Sequence, residues 1–181
     1  LVLAGAIVSI VVNPLMFGLV HRLRPAAVPG EPTVPVTTLQ PTKLSGHTVL
    51  VGYGRVGSHI GAGLARTGAP FLVIETGASG LEQARIDGAE IIAGNAASKE
   101  VLTAANLAGA KRIVVTIPEA FEAGQVVQQA RSANPKLEVL ARAHSDAAVE
   151  HLASLGADLV VSGEREIAER MLERVGEEGR T

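Results

Sequence analysis

The stretch Val49-Leu50-Val51-Gly52-Tyr53-Gly54-Arg55-Val56-Gly57 decides the fold of this chain. Its first three residues read as a buried strand, and its glycines follow the Gly-x-Gly-x-x-Gly spacing that opens a helix. That spacing alone is a weak signal. Between a strand and a helix it becomes specific, because each glycine then has a separate physical task. Gly52 lets the chain turn tightly, Gly54 lets the backbone approach a pyrophosphate, and Gly57 lets the helix pack close against the sheet. The helix start presents free N–H groups and a partial positive charge to that anion. Arg55 reads either as a phosphate contact or as a solvated helix start.

Downstream, the second strand ends in Glu75, eighteen residues after Gly57. An acid at about that spacing accepts hydrogen bonds from ribose hydroxyls and repels a 2′-phosphate. No arginine follows within the next nine residues, which disfavours an NADP-type ligand. Short apolar runs then alternate with helical stretches to the end of the chain. The runs are 49–51, 71–74, 90–93, 113–115, 137–141 and 159–161; the helical stretches are 56–66, 81–86, 99–106, 120–133, 146–155 and about 164–175. Continuous apolar strands with helical crossovers predict an α/β fold: a doubly wound, Rossmann-like, six-stranded parallel sheet covered on both faces. Gly68, Gly88, Gly109 and Gly156 each follow a helical stretch, where a left-handed terminating residue is expected.

Further ligand contacts are expected at other strand ends on the same edge. Gly94-Asn95-Ala96 and Thr116-Ile117-Pro118 would wall the adenine and its ribose, with Asn95 either reading a polar edge or capping the next helix. Arg142, ending the fifth strand, is a candidate anion contact. His144, Ser145 and Asp146 are too close in sequence to form a nucleophilic triad, whose members converge from different elements. Ser145 is expected to cap the following helix instead. His21, His47, His59 and His151 have no metal-ligand spacing, and Glu164 and Glu166 suit the start of the last helix.

Of the 181 residues, none is cysteine, which excludes a disulfide framework, a thiolate metal site and a cysteine nucleophile. An aromatic content of 2% and a net charge of −2 exclude a base-stacking or basic nucleic-acid surface. Three segments differ in composition. In the first segment, 1–21, residues 1–20 carry no charged side chain, and twenty residues at about 1.5 Å each reach roughly 30 Å, the thickness of a bilayer core. They predict a transmembrane helix with a kink at Asn13-Pro14. The basic run His21-Arg22-Leu23-Arg24 follows it, so the residues from about 22 onward are expected in the cytoplasm. Residues 22–45 hold five of the nine prolines and read as an extended linker. Residues 46–181 form the α/β domain, with 13 basic and 17 acidic residues. The chain starts at Leu1 rather than Met, so a piece of a longer polypeptide is expected.

The run Val49 to Gly57, with Ile74-Glu75 and Gly94-Asn95-Ala96, resembles the regulatory nucleotide-binding domain called RCK, KTN or TrkA-N. More narrowly, it resembles the Kef-type monovalent cation/proton antiporters of the YbaL-like branch. Val114 to Phe121, Arg142 to Asp146 and Gly163 to Glu166 match that branch, as does a last membrane helix carrying Asn13-Pro14. The resemblance implies a protein exchanging potassium or another monovalent cation for protons across the bacterial inner membrane. Its domain would bind AMP, ATP or NAD(H) and gate transport as a homodimer, with the transporter domain of the same polypeptide as partner. The family's ligand positions fall on Gly52, Gly54, Arg55, Val56, Glu75, Asn95, Ala96 and Thr116; Tyr53, Gly57, Ile117 and Arg142 complete the candidate site. Many relatives carry Asp where this chain has Asn95. No catalytic or metal-binding residue is expected. An NAD-dependent oxidoreductase is the rival reading, but only about twenty residues follow the sixth strand, too few for a substrate domain. A stand-alone Trk-type regulatory subunit is the other.

Overall fold

Val49, Leu50 and Val51 lie at the centre of a six-stranded sheet with 0–1% of their surface exposed. The computed structural model describes residues 39–178. The membrane span expected at 1–21, and the linker as far as residue 38, lie outside the described residues. Among the described residues no helix is long and apolar enough to cross a membrane.

The elements are β1 (Thr48–Val51), α1 (Arg55–Thr67), β2 (Phe71–Glu75), α2 (Ala78–Ile86), β3 (Glu90–Ala93), α3 (Lys99–Ala104), β4 (Arg112–Val115), α4 (Ala120–Ala133), β5 (Glu138–Ala143), α5 (Asp146–Ser154), β6 (Leu159–Ser162) and α6 (Gly163–Glu178). All strands are parallel in the order β3-β2-β1-β4-β5-β6, the doubly wound architecture expected from the sequence. Val51 pairs with Ile74 on one side and Val115 on the other. The order reverses between β1 and β4, so a crevice opens beyond their carboxyl ends.

Side chains alternate across β1. Val49 and Val51 face one layer with Leu72, Ile74, Ile113 and Val139, under Val126, Val127 and Leu152 of α4 and α5. Leu50 faces the other, with Phe71 and Val73 under Ile60 and Leu64 of α1 and Ala84 of α2. Each fully buried leucine contributes about 1.5–3 kcal/mol from apolar area removed from water.

Two local expectations need correction. The second face is covered over β1 and β2 but open over β4–β6, where Leu159 is 51% exposed and Val161 36%. Right-handed crossovers send α4 and α5 to the opposite face, and α6 is exposed from Glu164 to Gly176. Gly68, Gly88 and Gly156 take the left-handed conformation, but Gly109 does not; Asn106 does so instead, at φ +51°. Asparagine tolerates this region best among residues with a side chain, and here its amide is tied to Leu44 O and to the Gly109 N–H.

The second half of the sheet is pinned by Arg131 of α4. Its guanidinium donates to Gly156 O, Leu137 O and Asp158, and Asp158 also accepts from the Val139 amide at 2.7 Å. That amide, then Arg131, holds the Asp158 carboxyl below the usual aspartate range.

Candidate functional site

Gly52 turns the chain out of β1 at φ +87°, and its amide donates to Ile74 O at 2.9 Å. The Thr116 hydroxyl, from the end of β4, lies 3.0 Å from both Val51 O and Gly52 O and bolts the turn to the neighbouring strand. A Cβ on Gly57 would stand 2.1 Å from Gly52 O, so this close approach of α1 to the turn requires glycine. Gly54 differs: its backbone is extended, and a Cβ there would meet nothing within 4 Å. The space above it is open.

The start of α1 is electrostatically bare. Gly54 supplies no side-chain cap, and the first turn holds no acid. Four of the other five helices fill this position: α4 has the Glu119 cap with Glu122, α5 the Ser145 cap with Asp146, α3 has Glu100, and α6 has Glu164 and Glu166. Only α2, entered through Gly77, is likewise without a side-chain cap or a first-turn acid, and there the Gly77 amide is already taken by Glu75. The positive end of the α1 dipole and its free amides are therefore left for an external anion. Arg55, the first residue of α1, is exposed.

Glu75 ends β2 beside this opening. Its Oε2 accepts the Tyr53 amide at 2.6 Å, and its Oε1 accepts the amides of Thr76 and Gly77, each at 2.7 Å. One carboxylate thus joins the glycine turn to the start of α2, and it remains half-buried rather than enclosed. Each carboxylate oxygen has two lone-pair sites; Oε1 uses both on the Thr76 and Gly77 amides, and Oε2 keeps one for a further donor such as a sugar hydroxyl.

Tyr53 enters the site only through its main chain. Its ring is 2% exposed, packs over Gly61, and its hydroxyl donates to Asp87 at 2.8 Å. Burial first, then the hydrogen bond and charge of Asp87, push the phenol well above the ordinary tyrosine value. The phenol therefore stays a neutral donor and anchors the turn to the end of α2.

The remaining positions divide. Gly94 donates to Glu75 O, which sets the turn after β3 next to Glu75. Asn95 is exposed there, and its Oδ1 accepts the Ala97 amide at 2.6 Å, which closes a turn ahead of α3; the residue at the cap position of α3 is Ser98, not Asn95. Ala96 is buried in the core, so its side chain does not face the opening. Ile117 lies against Gly52. Val56, Thr116 and Arg142 come together around a cavity of about 230 Å³ whose lining also includes Ile60, Val114, Leu140 and Val161. Around residue 144 the groups are diverted from catalysis: Ser145 caps α5, Asp146 pairs with Arg165 at 2.7 Å, and His144 lies 3.6 Å from Glu164. Among the described residues no cluster of three or more acids or histidines could hold a metal ion. The sequence reading missed Asp87, because nothing in the spacing from Tyr53 announces a side-chain partner 34 residues away.

The profile of the TrkA-N domain matches residues 48–163. The chain is 43% identical to YbaL of Escherichia coli (strain K12), named as a cation/proton antiporter, over 96% of this chain but 32% of that protein. This chain thus spans about a third of that curated relative. The crystal structure of the TrkA-N domain of the inner membrane protein ybaL from Escherichia coli superposes with a TM-score of 0.70 at 45% identity, covering 73% of this chain and 98% of that one. The Shewanella denitrificans Kef CTD, solved in an AMP-bound form, has the same fold with a TM-score of 0.64 at 24% identity, over 75% and 82% of the two chains.

Proposed function

Because this chain belongs to the TrkA-N domain family, we propose that its carboxyl-edge cleft binds an adenine nucleotide, AMP, ATP or NAD(H), and that occupancy regulates a monovalent cation/proton antiporter. The observation that carries the reading is the bare start of α1 beside Glu75: amides for the phosphate, a carboxylate for the ribose. The likeness to YbaL supports the transporter part, with the antiporter's membrane domain as the partner of this domain. In this reading residues 1–21 span the inner membrane, 22–45 tether the domain, and 46–181 lie in the cytoplasm. The domain acts as a sensor, not an enzyme, since the groups around Ser145 are engaged in capping and ion pairs.

Regulation of this kind is a population shift. A nucleotide that binds two arrangements of the protein unequally biases the balance between them, and equal affinity would shift nothing. In vesicles carrying the transporter, adenine nucleotide is expected to change the rate of cation/proton exchange, and Glu75→Ala to remove that dependence. Transport that ignores nucleotide in both proteins contradicts the gating role.

The working unit in this reading is a homodimer. On α6, Ile167, Met171 and Val175 recur every fourth residue beside Leu172, and all four are more than half exposed. An apolar helix stripe and an open apolar sheet half on one chain are suited to a two-fold pair. Light scattering on the chain is expected to give twice the monomer mass, and the double substitution Met171→Glu, Leu172→Glu to give the monomer. A monomeric wild type would contradict the dimer.

A further inference from the structure

We infer that docking of residues 39–47 against α3 and the loop after it is coupled energetically to nucleotide binding at the opposite end of the sheet. This rests on the reading of the cleft given above and adds the route of its regulation.

The last part of the segment read as linker is not free of the domain. Leu39 and Leu44 pack against the core, Thr42 is 9% exposed, and His47 is fully buried. The Thr42 amide donates to Ala104 O at 2.9 Å, and the Thr42 hydroxyl accepts the Leu44 amide at 3.0 Å. From the other side, Asn106 Nδ2 donates to Leu44 O at 3.0 Å, the Gly46 amide to Gly109 O at 2.7 Å, and His47 Nε2 to Ala105 O at 3.0 Å. Three of the five domain residues bonded in this latch, Ala104, Ala105 and Asn106, belong to the end of α3 or the two residues after it; Gly109 and Lys111, whose amide donates to His47 O at 2.9 Å, follow in the loop before β4.

The other end of α3 belongs to the cleft. Gly94 donates to Glu75 O, and the turn Asn95–Ser98 that starts α3 is closed by the Ala97 and Ser98 amides on Asn95. Val101 Cγ2 would lie 2.9 Å from a Cβ on Gly94, so the helix is packed hard against the residue that touches Glu75. α3 is six residues, about 9 Å long, with Val101, Leu102 and Ala104 buried. A continuous set of bonds and buried contacts therefore runs from Glu75 through Gly94 and α3 to residues 42–46. β1 joins the same two ends, with His47 just before it and Gly52 just after it, and is fixed in register by β2 and β4. A ligand drawn against the Glu75–Asn95 wall favours the position of α3 that also seats the latch. Whatever precedes residue 39 receives that bias.

Coupling is reciprocal: if nucleotide tightens the latch, the latch tightens nucleotide binding by the same factor. Asn106→Gly removes the amide that grips Leu44 while keeping the left-handed backbone, which glycine adopts without strain. Thr42→Val removes the hydroxyl but keeps the backbone bond to Ala104. On the full chain in mild detergent, saturating AMP is expected to slow exchange of the Thr42 and Gly46 amides about fivefold or more. Asn106→Gly and Thr42→Val are each expected to weaken AMP binding by about fivefold, with exchange at the Val49 and Val139 amides unchanged. Latch amides that exchange equally with and without bound AMP would overturn the coupling and leave the cleft reading intact. So would variants with a faster-exchanging latch and wild-type AMP affinity. A wild-type chain that binds neither AMP nor NAD would overturn the cleft reading itself, and the coupling with it.

Discussion

Gly57→Ala is expected to lower the stability of the domain by about 2 kcal/mol or more and to abolish nucleotide binding, whereas Gly54→Ala is expected to abolish binding alone. At residue 57 the new methyl would lie 2.1 Å from Gly52 O and 3.1 Å from the Thr116 hydroxyl. Backbone oxygen cannot swing aside as a flexible side chain would, so α1 or the turn must move. Either movement also breaks the bolt between Thr116 and the turn. For a domain of this size the midpoint of thermal unfolding should fall by roughly 5–10 °C. At residue 54 the methyl meets no protein atom and the backbone is in an ordinary extended region, so the melting temperature should stay within about 2 °C of wild type. The same methyl occupies the space where a phosphate would approach the α1 amides. If Gly54→Ala binds nucleotide as wild type does, the anion does not sit there.

Glu75→Ala is the second large effect. The substitution removes the acceptor of the Tyr53, Thr76 and Gly77 amides together with the acid assigned to the ribose. Hydrogen bonds to a charged group contribute about 1.5–3 kcal/mol each when buried, and less at a half-exposed site. A loss of about 1.5–3 kcal/mol in binding corresponds to roughly 10- to 100-fold in affinity. Part of that loss is indirect, through a loosened glycine turn. A ratio separates the two contributions: the wild type should prefer NAD over NADP, because a carboxylate repels the 2′-phosphate. In Glu75→Ala the ratio should fall toward one even as both affinities weaken. An unchanged ratio would mean that Glu75 serves the turn and not the sugar.

Which parts of this were legible in the sequence follows from how far each depends on local chemistry. The Gly52–Gly57 spacing, the apolar runs and the position of Glu75 are local patterns, and the sheet order follows from them through right-handed crossovers. The cap at Ser145 is local too, and the structure places it as expected. Tyr53 is a different case, because its ring turns inward onto Gly61 and finds Asp87 only after α1 and α2 are packed. Ala96 sits in a motif that suggested a ligand wall, yet as a small apolar residue it is drawn into the core beneath α3. The open half of the second face was hidden for the same reason: Leu159 and Val161 are as apolar as any covered strand residue, and composition does not say which helix covers them. Asn106 took the left-handed position expected of Gly109 because its side chain has a partner in Leu44, sixty-two residues earlier, which no window of sequence contains.

The central claim is that an adenine-bearing anion binds where α1 begins. Titration calorimetry of the full chain in mild detergent with AMP, ATP, NAD and NADH tests it most directly. At least one of them should bind with a stoichiometry near one per chain, in the micromolar range or tighter, about −8 kcal/mol, and Gly54→Ala should erase the signal. No binding heat and no competition by any of the four, from a chain whose fold is intact by amide exchange, would contradict the account.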